Sequence, residues 1–98
     1  MSQFDLHRLT ADQLVIDCQS DFLGDLKTRL VVPLVDPLLV PAPLQRLHPV
    51  FEVDGNRLLM ATHFAGAIPV RDLGPIVGSL SDQSYTIMNA LDFLLTGV

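Results

Sequence analysis

Apolar and polar positions alternate through Phe4-Asp5-Leu6-His7-Arg8-Leu9, as they do in a half-buried strand. Thr10-Ala11-Asp12-Gln13 suits a short turn, and Leu14-Val15-Ile16-Asp17-Cys18 reads as a second strand. Residues 19–25 are polar except for Phe22 and Leu23, two bulky apolar residues where loops ordinarily carry small polar ones. Residues 29–34 form a β-branched run that Pro33 should end, a third strand. The proline-rich stretch that follows should be extended and irregular, with at most one short edge strand at Leu38-Leu39-Val40.

The clearest local signal lies further on. Val50-Phe51-Glu52-Val53 and Asn56-Arg57-Leu58-Leu59-Met60 flank Asp54-Gly55, a pair suited to the tight type I′ turn of a hairpin. His63-Phe64-Ala65-Gly66 reads as a bend and Ala67-Ile68-Pro69-Val70 as a last short strand, while Leu73-Gly74-Pro75 and Gly78 mark turns. Ser79 or Ser81 is placed to cap a closing helix, with Asp82 in its first turn. The periodicity predicts that helix over residues 85–95. At about 100° per residue, Ile87, Met88, Ala90, Leu91, Leu94 and Leu95 share one arc, with Tyr85, Asn89, Asp92 and Thr96 opposite. Thr96-Gly97-Val98 follows without a charged tail. This end either packs on the chain's own sheet or presents a surface to a partner, and both hold if the arc turns inward and the last turn stays exposed.

No internal repeat or domain boundary interrupts residues 1–98, which read as one small domain. Six or so strands followed by one helix describe a mainly β fold, a small antiparallel barrel or sheet with the helix packed across it. A hydrophobic content of 49% excludes intrinsic disorder. Six Lys and Arg against eleven Asp and Glu give a net charge of -5, the wrong sign for gripping DNA or RNA directly, so a protein partner is expected. The stretch from Leu30 to Leu44 is apolar but broken by Pro33, Pro37, Pro41 and Pro43, so it cannot be a membrane helix. Met1-Ser2-Gln3-Phe4-Asp5 lacks the features of a signal peptide, and a cytoplasmic protein without membrane contact is the expectation.

Chemistry is sparse. Cys18 is the one cysteine and lies in an apolar run, where a buried structural thiol is expected rather than a nucleophile. His7, His48 and His63 are far apart in sequence, without the spacing of a metal site, and are expected as partly exposed sheet or loop residues. Gly74-Pro75-Ile76-Val77-Gly78 lacks the Lys-Ser/Thr of a phosphate loop and reads as a turn. No nucleophile–base pair stands out, so neither catalytic residues nor cofactor or metal sites are expected. Phe22 and Leu23 either plug the open end of the barrel or form an exposed patch for a partner.

Ile16-Asp17-Cys18-Gln19-Ser20-Asp21, followed by Thr28-Arg29-Leu30-Val31-Val32-Pro33-Leu34, resembles the VDVQSD block and the following R-hydrophobic-VIPL block of the CcdB toxin family. His48-Pro49-Val50, Ile68-Pro69-Val70 and Leu80-Ser81 continue the resemblance in order, and Asn89-Ala90-Leu91-Asp92-Phe93-Leu94-Leu95-Thr96-Gly97-Val98 is similar to the family's C-terminal helix. The resemblance implies an SH3-like antiparallel barrel of the CcdB/MazF/Kid type, assembled as a homodimer. It also implies a toxin of a type II toxin–antitoxin module that binds the A subunit of DNA gyrase and traps the enzyme on cleaved DNA. A cognate antitoxin would neutralise it through a disordered C-terminal segment, and the pair would repress their own operon. The family's gyrase-contacting positions fall on Phe22, Leu23, Asp92, Leu95, Thr96, Gly97 and Val98. Thr96 stands where the family can carry Trp, and Asp92 where it can carry Asn. Losing that Trp removes an aromatic of the kind that dominates interfaces. Two other readings stay open: an endoribonuclease on the same fold, and a non-toxic relative that keeps only dimerisation and antitoxin binding.

Overall fold

The computed structural model describes residues 1–10 and 13–98. Among the described residues the chain forms seven strands: β1 (Asp5–Thr10), β2 (Gln13–Asp17), β3 (Thr28–Val35), β4 (Val50–Val53), β5 (Asn56–Met60), β6 (Gly66–Pro69) and β7 (Ile76–Ser79). One α-helix, α1 (Ser84–Thr96), follows. The turn expected at Thr10-Ala11-Asp12-Gln13 includes Ala11 and Asp12, which lie outside the described residues. All the pairings are antiparallel, in the order β4-β5-β3-β2-β1-β7, and β6 also pairs with β3.

The sheet curls as a half barrel around one core. Leu6 from β1, Ile16 from β2, Val32 and Leu34 from β3, Phe51 from β4 and Met60 from β5 share it with Ile87, Ala90 and Leu91 of α1. The mainly β fold with a packed C-terminal helix is therefore as the sequence indicates. The arc of α1 is narrower than expected: Met88, Leu94 and Leu95 are exposed. The opposite face of the central strands is also enclosed, at His7, Val15, Asp17, Arg29 and Val31.

Asp54 and Gly55 take φ of 52° and 81°, the left-handed pair that a type I′ turn requires, so the β4–β5 hairpin forms as expected. Elsewhere the structure corrects the reading. β3 runs through Pro33 to Val35. In a strand the N and O of one residue point to the same side, and Pro33 O accepts from Ala61 N. The missing N–H therefore falls where the neighbour of β3 changes from β6, ending at Val31, to β5, starting at Leu34. Pro37–Leu39 is a 3-10 turn rather than an edge strand, because Asp36 Oδ1 caps Leu38 N–H at 2.9 Å and Pro37 starts the turn.

Residues 76–79, expected as a turn, are strand β7. Gly78 lies opposite Leu6, and a methyl at Gly74 would overlap the Arg8 carbonyl oxygen. Gly74 thus serves close approach to β1, and Gly78 is a ladder position of β7; neither reverses the chain. Buried His7 donates from Nδ1 to Gly74 O at 3.0 Å in the same junction. Neither serine caps α1: Gln83 is its N-cap, and Ser79 Oγ instead accepts from Ser81 N in the 3-10 turn before it.

Candidate target-binding surface

The loop between β2 and β3 is built from its base outward. Asp17 and Arg29, both enclosed, form an ion pair with Nη2 to Oδ2 at 2.6 Å and Nε to Oδ2 at 2.9 Å. Asp17 Oδ1 also accepts from Gln19 N at 3.1 Å. Gln19 then bridges the loop: its Oε1 accepts from Leu30 N and its Nε2 donates to Leu23 O. Ser20 caps the turn Asp21–Leu23 by accepting from Phe22 N at 3.2 Å, and Gln3 N ties Asp21 Oδ1 back to the N-terminal segment. Every polar group in this tie works to hold the loop in shape, and the result is a Phe22 side chain 99% exposed beside a half-exposed Leu23. That excludes the barrel-plug alternative, because a plug would bury the ring.

The helix end is the second exposed apolar point. Leu95 is 80% and Val98 77% exposed, and Asp92, Thr96 and Gly97 are exposed with them. Gly97 takes φ of 74° and donates N–H to Phe93 O at 2.8 Å, the left-handed cap that glycine alone adopts without strain. Thr96 Oγ1 donates to Asp92 O at 2.7 Å and accepts from Val98 N at 3.4 Å. Thr96 therefore shapes the last turn by hydrogen bonding, where an aromatic would supply contact area. Among the described residues no hydrogen bond joins this turn to the Phe22 loop; each patch is held by its own local bonds.

Both patches carry apolar residues among acidic ones, with Asp21 and Asp25 beside Phe22 and Asp92 on the helix. Three of the arginines lie away from both patches. Arg29 is buried in its ion pair, Arg46 lies over the Phe93 ring at 5.0 Å, and Arg57 faces Glu52 across the hairpin. Such a surface suits a protein partner rather than a phosphate backbone. Cys18 is buried, and burial together with the neighbouring Asp17 carboxylate pushes its thiol up to about 12. Among the described residues no cluster of three or more His, Cys, Asp or Glu is placed to hold a metal ion.

The histidines differ from expectation. His7 and His48 are buried rather than partly exposed, and His48 and His63 meet at 2.9 Å between Nε2 and Nδ1. Their separation in sequence gives no periodic signal for this contact. Hydrophobic patterning could not find it, nor the Asp17–Arg29 pair, since both join residues on different elements. Compared with family models, the chain matches the one described as CcdB protein, over residues 3–97.

Proposed function

The chain belongs to the CcdB family, whose members are toxins of toxin–antitoxin modules acting on DNA gyrase rather than catalysts, and from this premise we propose a gyrase poison. Residues 1–98 form one toxin domain that binds the A subunit of gyrase and stabilises the complex of gyrase with cleaved DNA. Phe22 and Leu23 of the loop, and Asp92, Leu95, Thr96, Gly97 and Val98 of the helix end, make the contact. The observation that carries this reading is the Phe22 ring, almost wholly exposed on a loop held by a buried ion pair. A large apolar side chain kept rigid in solvent is the profile of an interface anchor.

Two copies pair about a two-fold axis that brings their helix ends together into one shared target surface. A cognate antitoxin neutralises the dimer by folding a disordered C-terminal segment over it, and the complex represses the operon; the toxin alone does not grip nucleic acid. No cofactor enters, and the protein works in the cytoplasm without touching the membrane. No helix of the described residues is long and apolar enough to cross one.

The purified protein should inhibit supercoiling by gyrase and accumulate cleaved DNA, with both effects reversed by the antitoxin segment. RNA cleavage without any effect on gyrase would replace this reading with the endoribonuclease one, and inertness in both assays would leave a non-toxic relative.

A further inference from the structure

His48 precedes β4 and His63 lies in the 3-10 turn Thr62–Phe64 that follows β5. Leu44 N–H donates to His48 Nδ1 at 3.0 Å, so the neutral ring must carry its proton on Nε2. That proton points at His63 Nδ1, 2.9 Å away. His48 is only 8% exposed, while His63 is exposed and its ring lies against Phe64 with centroids 4.2 Å apart. The relay runs in one direction and requires both rings to be neutral. A proton on His48 Nδ1 would face the Leu44 N–H, and one on His63 Nδ1 would face the His48 Nε2–H. Two donors would then oppose each other across the contact.

We propose that His48 and His63 form a proton-operated latch, which holds segment 44–48 against the 62–64 turn when neutral and releases it on acidification.

The same segment has other ties: Thr62 Oγ1 donates to Leu47 O at 2.5 Å and His48 N to Leu44 O at 2.7 Å. It also carries Arg46, whose guanidinium lies over the Phe93 ring of α1. The latch thus reaches the helix within a turn of Thr96-Gly97-Val98. This link bears on the proposed target surface, but the latch itself stands without that reading.

The groups facing the pair favour release by a proton. His63 opposes a charge on His48, Arg46 shares its segment, and Arg57 of β5 lines the groove beside His48 together with the uncharged Gln45 and Thr86. No carboxylate lines that groove among the described residues; Glu52 stands opposite Arg57 on the hairpin, outside the groove, and the nearby Asp36 is bonded to Leu38 N–H. Burial first, and His63 second, lower the pKa of His48 below the ordinary 6.5. The pair is also a poor chelate, since one His48 nitrogen accepts an N–H and the other carries the proton.

The test is nitrogen-detected NMR of the histidines in the full chain, from about pH 7.5 down to about pH 5. At the upper end His48 should show a protonated Nε2 and an unprotonated Nδ1. On acidification the Leu44 and His48 amides and the Phe93 ring should shift together, with Leu44 amide exchange at least about tenfold faster than its intrinsic pH dependence allows. His63→Gln keeps an acceptor but removes the second charge, so the His48 midpoint should rise while the neutral-pH spectrum stays in place. A protonated His48 Nδ1 at the upper pH, or a Phe93 ring and Leu44 amide unmoved across the titration, would overturn the latch. An unchanged His48 midpoint in His63→Gln would do the same.

Discussion

Arg29 is enclosed at 1% exposure, and Asp17 meets it there with two contacts to one oxygen. Removing one member of such a pair leaves a buried charge without a partner, whereas replacing both with apolar groups is far milder. Asp17→Ala should therefore lower stability by about 3–5 kcal/mol in urea unfolding, and Asp17→Ala with Arg29→Met should recover much of that loss. The single variant should also lose amide protection at Gln19, whose N–H bonds to Asp17. Neither residue was legible as half of a pair, since Asp17 stood in an apolar run and Arg29 opened a β-branched one. Cys18 was legible, because an isolated thiol among Leu, Val and Ile has a packing role by default. With its thiol held up to about 12 against an ordinary 9.0, the folded state keeps a proton that the unfolded state releases. The contribution of Cys18 is thus complete below pH 9.0 and is lost as pH rises towards about 12. Alkylation near pH 8, about the ordinary working range, should track unfolding rather than exposure of the native thiol.

Among the elements, α1 divides into an inner half and an outer one. Ile87, Ala90 and Leu91 are in the core, whereas Leu95, Thr96 and Val98 contribute caps and exposed surface. Deleting Thr96-Gly97-Val98 should lower the folding free energy by only about 0.5–1 kcal/mol, while abolishing gyrase inhibition through loss of contacts each of about 2 kcal/mol or more. A folded deletion variant that still poisons gyrase would place the contact elsewhere, and one that fails to fold would make the helix end part of the core. The β4–β5 hairpin was legible because Asp54 and Gly55 state a backbone requirement locally. β7 was not, because Pro75 and Gly78 carry the same letters whether a chain turns or passes close to another strand. Pro33 misled for a related reason: its missing N–H matters only if a neighbour stands opposite, and the sheet changes neighbours there.

At the scale of the molecule, the alternation and the closing helix disclosed a mainly β fold, but strand order is a long-range property that no window of sequence contains. The exposed apolar residues Leu30, Phe64, Ile76 and Met88 lie outside both target patches. Exposed apolar side chains of this kind are candidates for cover by a second copy of the chain. Light scattering at micromolar concentration, about the range of purified samples, should give twice the chain mass, and a monomer there would count against the shared target surface. The sheet order has a kinetic side as well. β1 to β3 are consecutive strands that pair in order, and β4 and β5 pair across a two-residue turn. The β1–β7 ladder instead joins Asp5 to Ser79, near the two extremes of the chain. The entropy of closing so large a loop falls on that one ladder, and contacts of this range are the slow ones. The N-terminal strand edge therefore waits for β7 while the hairpins already stand. In pulse-labelled refolding, amides of β5 should gain protection before those of β7, and a nascent chain halted before residue 76 would leave β1 as an unpaired edge open to other chains.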